Sequence, residues 1–157
     1  MPRYHHTQIG WVILCSTLAP MLLITALDLP PEAGPIPSLV FLVLLAAAAA
    51  FGSLTVSVDE VHLSLRFGLT PFRKRVRLAD IASFRPVRNK WYFGWGIRYI
   101  GTGWLYNVSG LDAVEIVKGD GAVVRVGTDE PDALVRALST VVATRQAEPP
   151  PAATTSE

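Results

Sequence analysis

One uncharged apolar run, Ile36–Val58, constrains this chain most strongly because its periodicity changes before it ends. Its first part, Pro37 to Phe51, has the composition of a continuous apolar helix. After Gly52 and Ser53 the residues alternate between apolar and polar, as Leu54-Thr55-Val56-Ser57-Val58, which is typical of a strand with one buried face. The sequence therefore predicts an apolar helix that enters a β-domain with almost no linker.

A second apolar segment, Ile9 to Leu27, precedes this run and contains no charged residue. About twenty such residues span a ~30 Å hydrocarbon layer as a helix. Pro20 is tolerated in membrane helices, and Trp11 lies where an interfacial aromatic residue is expected. The segment is long for a signal peptide and has no clear small-residue cleavage site. A retained helix is therefore favoured over a cleaved signal peptide.

The segment between these runs, residues 28–37, contains four prolines and Gly34 and is predicted to be a turn. Together the segments predict a two-helix transmembrane hairpin, with spans at about residues 9–29 and 36–53. The turn carries only the acids Asp28 and Glu32, whereas Arg3 precedes the first span and a basic cluster follows the second. The positive-inside rule then predicts a multi-pass protein of a bacterial inner membrane, with a short N-terminus (residues 1–8) and the C-terminus both cytoplasmic.

The net charge of +1 conceals a segregated distribution. Nine of the fourteen basic residues lie between Arg66 and Arg98, and Asp80 is the only acid in that interval. Such segregation indicates a face that meets anions. A basic strand face that is simply solvated explains the same pattern equally well.

Short alternating segments follow Gly52, and they predict a β-domain over residues 54–145. A turn at Lys118-Gly119-Asp120-Gly121 predicts a hairpin, and Thr128 to Asp132 has the caps and acids of a helix start, for a helix ending near Ala143. Residues 146–157 are rich in proline and alanine and are predicted to be disordered. The predicted strands lie at residues 54–58, 61–67, 73–78, 81–87, 97–100, 104–107, 113–117 and 122–126.

The order of these segments resembles the pleckstrin-homology-like (PH-like) fold, and in particular bacterial PH-like membrane proteins with an N-terminal pair of transmembrane helices. The resemblance is carried by Val61-His62-Leu63-Ser64-Leu65-Arg66-Phe67-Gly68, the following basic strand, Asp80-Ile81, Gly94-Trp95-Gly96-Ile97-Arg98, Tyr106-Asn107-Val108-Ser109-Gly110 and Gly127-Thr128-Asp129-Glu130-Pro131. The predicted fold class is membrane-anchored α+β, a transmembrane hairpin followed by a strongly bent antiparallel sheet or barrel that a C-terminal helix caps. The resemblance implies a binding or scaffolding module and supplies no catalytic residues.

The short junction at Gly52 and Ser53 predicts that the domain stays close to the bilayer, where each cation near anionic headgroups contributes up to ~1 kcal/mol. Trp95, between Gly94 and Gly96, is predicted to pack in the core instead. The candidate interfacial aromatics are Trp91 and Tyr92. The candidate headgroup-binding residues are Arg73, Lys74, Arg75, Arg77, Arg88 and Lys90.

No catalytic constellation is visible, so the chain is predicted not to be an enzyme. One cysteine excludes an intrachain disulfide and a cysteine-based metal site, and no metal or other cofactor is expected. The leading prediction is an integral membrane protein whose cytoplasmic PH-like domain binds membrane lipid through anionic headgroups, with no nucleic-acid partner. The alternative is a structural or assembly subunit of a membrane complex, in which the helix pair and the domain contact a membrane-protein partner.

Overall fold

The computed structural model describes residues 3–27, 30 and 33–147. Nine strands and three helices follow one another in the described part of the chain, and short 3-10 turns occupy Leu78–Asp80 and Trp91–Phe93. The elements are β1 (Tyr4–Ile9), α1 (Trp11–Ala26), α2 (Ile36–Phe51), β2 (Ser53–Val58), β3 (His62–Phe67), β4 (Arg73–Arg77), β5 (Ile81–Arg88), β6 (Gly96–Tyr99), β7 (Gly103–Asn107), β8 (Asp112–Lys118), β9 (Val123–Gly127) and α3 (Pro131–Ala147).

The first sheet is antiparallel and has the strand order β1-β2-β3-β4. Its inner face is apolar because alternate residues of β2 and β3 are large and hydrophobic, and Leu54, Leu65 and Phe67 are fully buried there. The intervening Ser, Thr, His and Arg residues point to the other side. The sheet therefore has one core face and one polar outer face.

The second sheet has the strand order β5-β8-β9-β7-β6, in which β7 and β9 pair in parallel and the other pairs are antiparallel. Its inner residues share one hydrophobic cluster with the inner face of the first sheet. The apolar stripe of α3, formed by Leu134, Leu138 and Val141, is buried in the same cluster. Two sheets and one helix thus enclose a single core.

The helices α1 and α2 pack against each other and join the first sheet through a tight junction. Gly10, between β1 and α1, donates its backbone N–H to the carbonyl of Gly52, between α2 and β2, at 2.8 Å. A Cβ on Gly10 would lie 3.1 Å from the carbonyl oxygen of Phe51 and from Cβ of Val108, so the backbones approach closely here. The remainder of the helix pair is largely exposed.

The predicted transmembrane hairpin is wrong. Ile9 belongs to β1 and Ser53 to β2, so each apolar run is divided between a strand and a helix of 16 residues. At 1.5 Å per residue such a helix is about 24 Å long, short of a ~30 Å hydrocarbon layer. Among the described residues, no helix combines the length and the apolarity needed to cross a membrane.

This finding also corrects the predictions that depended on the hairpin. The membrane-anchored fold class is wrong, and so are the integral membrane function, the alternative of a membrane-complex subunit built on the same spans, and the multi-pass inner-membrane location with cytoplasmic termini. The acidic turn residues Asp28 and Glu32, used to orient the hairpin, lie outside the described residues.

Further differences concern the β-domain. The predicted strongly bent antiparallel sheet or barrel is instead two sheets, one of them mixed. Residues 4–8, predicted to belong to the short terminus, and Ile9, predicted to begin the first span, form β1. Its inward residues are Tyr4, which packs against the core, and the polar His6 and Gln8. Gln8 donates to the carbonyl of Ser109 at 3.1 Å, and His6 lies 2.6 Å from Asp129. The last helix continues to Ala147, and the predicted disordered tail lies, from residue 148, outside the described residues.

Candidate functional site

One end of the first sheet lies at the helix pair. The register places Leu54 opposite Phe67, so the β3–β4 turn lies beside the junction. Gly68 donates its backbone N–H to Ser53 at 2.9 Å, and Leu69 donates to Ala49 of α2 at 3.0 Å. We call this end of the domain the helix-side end.

The second sheet contributes to the same end. The turn between β7 and β8 contacts β1, since Gln8 donates its side-chain N–H to Ser109. At the end of β5, Asn89 donates its backbone N–H to Leu111 of that turn at 2.7 Å. The segment after Asn89 therefore leaves the second sheet at the helix-side end. At the opposite end of the domain, Gly119 donates its backbone N–H to the carbonyl of Asp80 at 2.8 Å. We call this end the far end.

The helix-side end carries exposed cations and exposed large apolar or aromatic side chains together. Leu69 is 87% exposed and Trp91 is 76% exposed. Side chains of this size and apolarity at one end of a domain are typical of a contact surface. We call the whole group the rim, and it consists of Arg66, Leu69, Phe72, Arg73, Arg88, Lys90, Trp91 and Tyr92.

A shallow groove of about 600 Å³ runs over the polar outer face of the first sheet, and we call it the outer-face groove. The strand register arranges its lining in rows across the sheet. The row nearest the helix pair is Thr7, Thr55, Arg66 and Arg73, and the next is His5, Ser57, Ser64 and Arg75. Hydroxyl and guanidinium donors line one surface in this way, a combination suited to oxyanions.

The acid of this groove, Asp59, lies in the β2–β3 turn, away from the helix pair. Its carboxylate accepts backbone N–H bonds from Val61 at 2.8 Å and from His62 at 2.6 Å. Burial raises the pKa of the Asp59 carboxyl, but these two hydrogen bonds and the charges of His62 and Arg75 hold it below its usual 3.8. Asp59 is thus ionised at neutral pH, and the groove favours anions most at the helix-side end.

The six predicted headgroup-binding residues divide between the outer face of β4, the opening between the two sheets and the rim, and Arg73 belongs both to the outer face and to the rim. Arg73, Arg75 and Arg77 alternate along the outer face of β4, and Arg77 at the far end binds Asp80 at 3.0 Å. Lys74 points to the opposite side of β4, at the opening between the two sheets. The other two, Arg88 and Lys90, belong to the second sheet and its rim segment.

The aromatic residues singled out from the sequence also lie in different environments. Trp91 and Tyr92 lie on the rim and are exposed. Trp95 is partly buried, and its indole nitrogen is buried without a hydrogen-bond partner among the described residues. Leu69 and Phe72 were not singled out from the sequence, although two large apolar residues in a short turn are a signal that could have identified them.

Sequence reasoning also missed a buried ion network beneath the rim. Glu115 of β8 accepts from Nε and Nη2 of Arg85 on β5 at 2.9 and 2.7 Å, and from Nε of Arg125 on β9 at 2.8 Å. The Arg125 guanidinium also lies 6.0 Å from the ring centroid of Phe93 and reaches Asn89 at 3.5 Å. The network therefore supports the segment that carries Trp91 and Tyr92.

This network keeps Glu115 ionised. Burial raises the pKa of the Glu115 carboxyl, but hydrogen bonds from Arg85 and Arg125 and their charges outweigh burial and hold the pKa below the usual 4.5. Both carboxylate oxygens are occupied by guanidinium groups. The residue therefore has a structural role and no spare acceptor for a ligand.

In the part of the chain that the structure describes, no three His, Cys, Asp or Glu side chains are clustered so that they could hold a metal ion. Comparison with protein-family models and with curated proteins found no match for this chain. The PH-like resemblance therefore stays a prediction made from the sequence.

Proposed function

We propose that this chain is a non-catalytic module that binds anionic lipid surfaces with the rim and the helix-side part of the outer-face groove. The observation that carries the proposal is the position of the rim. Its four cations and four apolar or aromatic side chains are exposed around the β3–β4 turn and on the end of β5 and the segment after it. Both segments lie at the end of the domain where the uncharged apolar helix pair joins it. Cations beside exposed aromatics are the combination found where proteins meet a lipid interface.

The electrostatic contribution follows from the strand register. Arg66 and Arg73 lie opposite Thr55, two residues along β2 from Ser53 at the junction. At 3.4 Å per residue this is about 7 Å, within the ~8 Å Debye length of physiological salt. A headgroup layer at the junction therefore attracts both guanidinium groups. Arg77 lies four residues further along β4 and contributes least.

The helix pair favours a lipid surface over a small soluble anion. No charged residue occurs in α1 or α2, and the exposed side chains include Trp11, Leu22, Leu39 and Leu42. A soluble phosphate bound to the arginines leaves this apolar surface in water. A lipid interface accommodates it from one side, because amphipathic surfaces bury apolar side chains in the ~5–10 Å region between headgroups and acyl chains without crossing the bilayer.

The test is co-sedimentation of the full chain with vesicles of phosphatidylcholine alone or with added phosphatidylglycerol. We expect binding to the anionic vesicles that weakens as salt rises, because each neutralised headgroup contact is screened. The double variant Arg66→Ala/Arg73→Ala should lose most of the anionic preference. The matched control is Arg77→Ala/Arg136→Ala, which removes the same charge from the far end and from α3.

Two outcomes contradict the proposal. Equal binding to neutral and anionic vesicles would show that the rim cations do not contribute to binding. Binding of inorganic phosphate that depends on Arg66 and Arg73, combined with no vesicle binding, assigns the groove to a soluble anion instead of a lipid surface.

A further inference from the structure

The strand β4 forms an open edge of the first sheet. It pairs with β3 on one side, and no strand of the described chain pairs with it on the other. An unpaired edge presents backbone N–H and C=O groups that another extended chain can pair with. The five residues of β4, Arg73 to Arg77, include four cations.

A crevice of about 230 Å³ opens between the two sheets beside this edge. Its apolar lining comprises Val76, Val124, Tyr106 and Trp104, and Trp104 is 48% exposed. The cations that line the crevice are Lys74, Arg75, Arg77 and Lys118. Arg77 is paired with Asp80, which also lines the crevice, and Lys118 is paired with Asp120. The edge therefore has an apolar pocket on one side and positive charge around it.

We propose that the β4 edge docks an extended acidic peptide of a partner protein, which adds to the first sheet as a strand. Side chains of an added strand alternate between the two faces of the sheet. Those aligned with Lys74 and Val76 point toward the crevice, and those aligned with Arg73, Arg75 and Arg77 lie on the outer face. The complementary peptide alternates apolar residues, which enter the crevice, with acidic residues, which pair with Arg73 and Arg75.

Charge selects this occupant over a second copy of the chain. Pairing β4 with another β4 sets Arg-Lys-Arg-Val-Arg against itself, and like charges opposite each other destabilise a sheet. Basic side chains alone can protect an edge from aggregation. This edge differs because it also opens onto an apolar crevice with a large exposed aromatic residue.

The probe is an octapeptide that alternates Asp and Val, blocked at both ends and titrated into the full chain by calorimetry. The control peptide has the same composition, with four Asp residues followed by four Val residues. We expect the alternating peptide to bind at least about tenfold more tightly, a difference of ~1.4 kcal/mol. It should also slow amide hydrogen exchange in β4.

Two variants separate this site from the lipid surface. Trp104→Ala should weaken peptide binding severalfold and leave vesicle binding unchanged, because Trp104 lies in β7 and lines the crevice. Tyr92→Ala, on the rim, should leave peptide binding unchanged. Equal affinity for the two peptides, or binding unaffected by Trp104→Ala, overturns the proposal. Concentration-dependent dimerisation that protects β4 without peptide assigns the edge to a second copy.

Discussion

Replacing Glu115 with Gln is expected to destabilise the protein by about 3 kcal/mol, because the substitution removes the only charge that neutralises Arg125 in the network described above. The Glu115 side chain is 7% exposed and that of Arg125 is 17% exposed, so water replaces little of the lost interaction. In the variant, an amide N–H group faces one of the two guanidinium groups, and two donors then oppose each other.

The magnitude follows from the exposure of the two partners. A hydrogen bond to a charged group contributes about 1.5–3 kcal/mol, and the buried Arg125 pair contributes near the upper limit. The Arg85 side chain is 71% exposed, so its pair contributes less than about 1 kcal/mol after solvent screening. For a chain of this length, a loss of about 3 kcal/mol lowers Tm by roughly 6–12 °C.

The assay is thermal unfolding followed by circular dichroism, with Asp120→Asn as the control. Asp120 also pairs with a cation, Lys118 at 2.7 Å, but it lies on an exposed turn, and its variant should melt close to wild type. A cycle with Arg125→Met isolates the coupling between the two residues. If Glu115→Gln melts within about 2 °C of wild type, the network does not stabilise the fold as argued.

The remaining predictions concern pH, the helix junction and the basic face. The pKa of the Glu115 carboxyl is lowered in the folded state, so the ionised group stabilises the fold above its usual pKa of 4.5. This stabilisation is lost as pH falls through the pKa of the folded state. The Tm difference between wild type and Glu115→Gln should therefore narrow below about pH 4.5. Gly68→Ala should cost at least about 2 kcal/mol in urea unfolding, because φ is +35° and the new Cβ meets the carbonyls of Ala49 and Ala50. Gly119→Ala should be nearly neutral, because its Cβ would lie 3.9 Å from the carbonyl oxygen of Asp80, an ordinary van der Waals contact. Equal effects of the two substitutions would refute the packing argument. Single Ala variants of β4 should weaken binding to anionic vesicles in the order Arg73, Arg75, Arg77, and a reversed order would place the lipid at the far end.

Local strand positions could be predicted because burial imposes a period of two on the sequence. Leu54, Val56 and Val58 alternate with polar residues, and the structure buries them as the alternation requires. The strand β1 could not be found in this way. Two of its three inward residues, His6 and Gln8, are polar, and their side-chain hydrogen bonds are made with residues about a hundred positions later in the chain.

The extent of the helices was misjudged for a related reason. An apolar residue such as Ile9 is equally suitable for a membrane helix and for a strand, and hydropathy does not distinguish the two environments. Pairing between β1 and β2 places Ile9, the first residue of one predicted span, opposite Ser53, the last residue of the other, and so includes both residues in the sheet. Such pairing is non-local, and single-sequence periodicity contains no information about it.

The candidate site was predicted in part. The alternation of Arg73, Arg75 and Arg77 on one strand face could be seen in the sequence, as could the exposed character of Trp91 and Tyr92. Their distances from the helix pair could not, because these depend on the register of four strands and on the β7–β8 turn. Register also separates Arg77 from Arg73, which the sequence alone grouped as one cluster.

The central claim, that the helix-side end faces an anionic lipid surface, is tested most directly by an environment-sensitive fluorophore at two positions. Cys15, the single cysteine, is replaced by Ser, and Leu69→Cys or Asp120→Cys then provides one labelling site on the rim or at the far end. With phosphatidylglycerol vesicles, the label at position 69 should shift to shorter wavelength, as on entry into an apolar environment, and the label at position 120 should not change. A shift at position 120 alone, or equal shifts at both positions, would contradict the account.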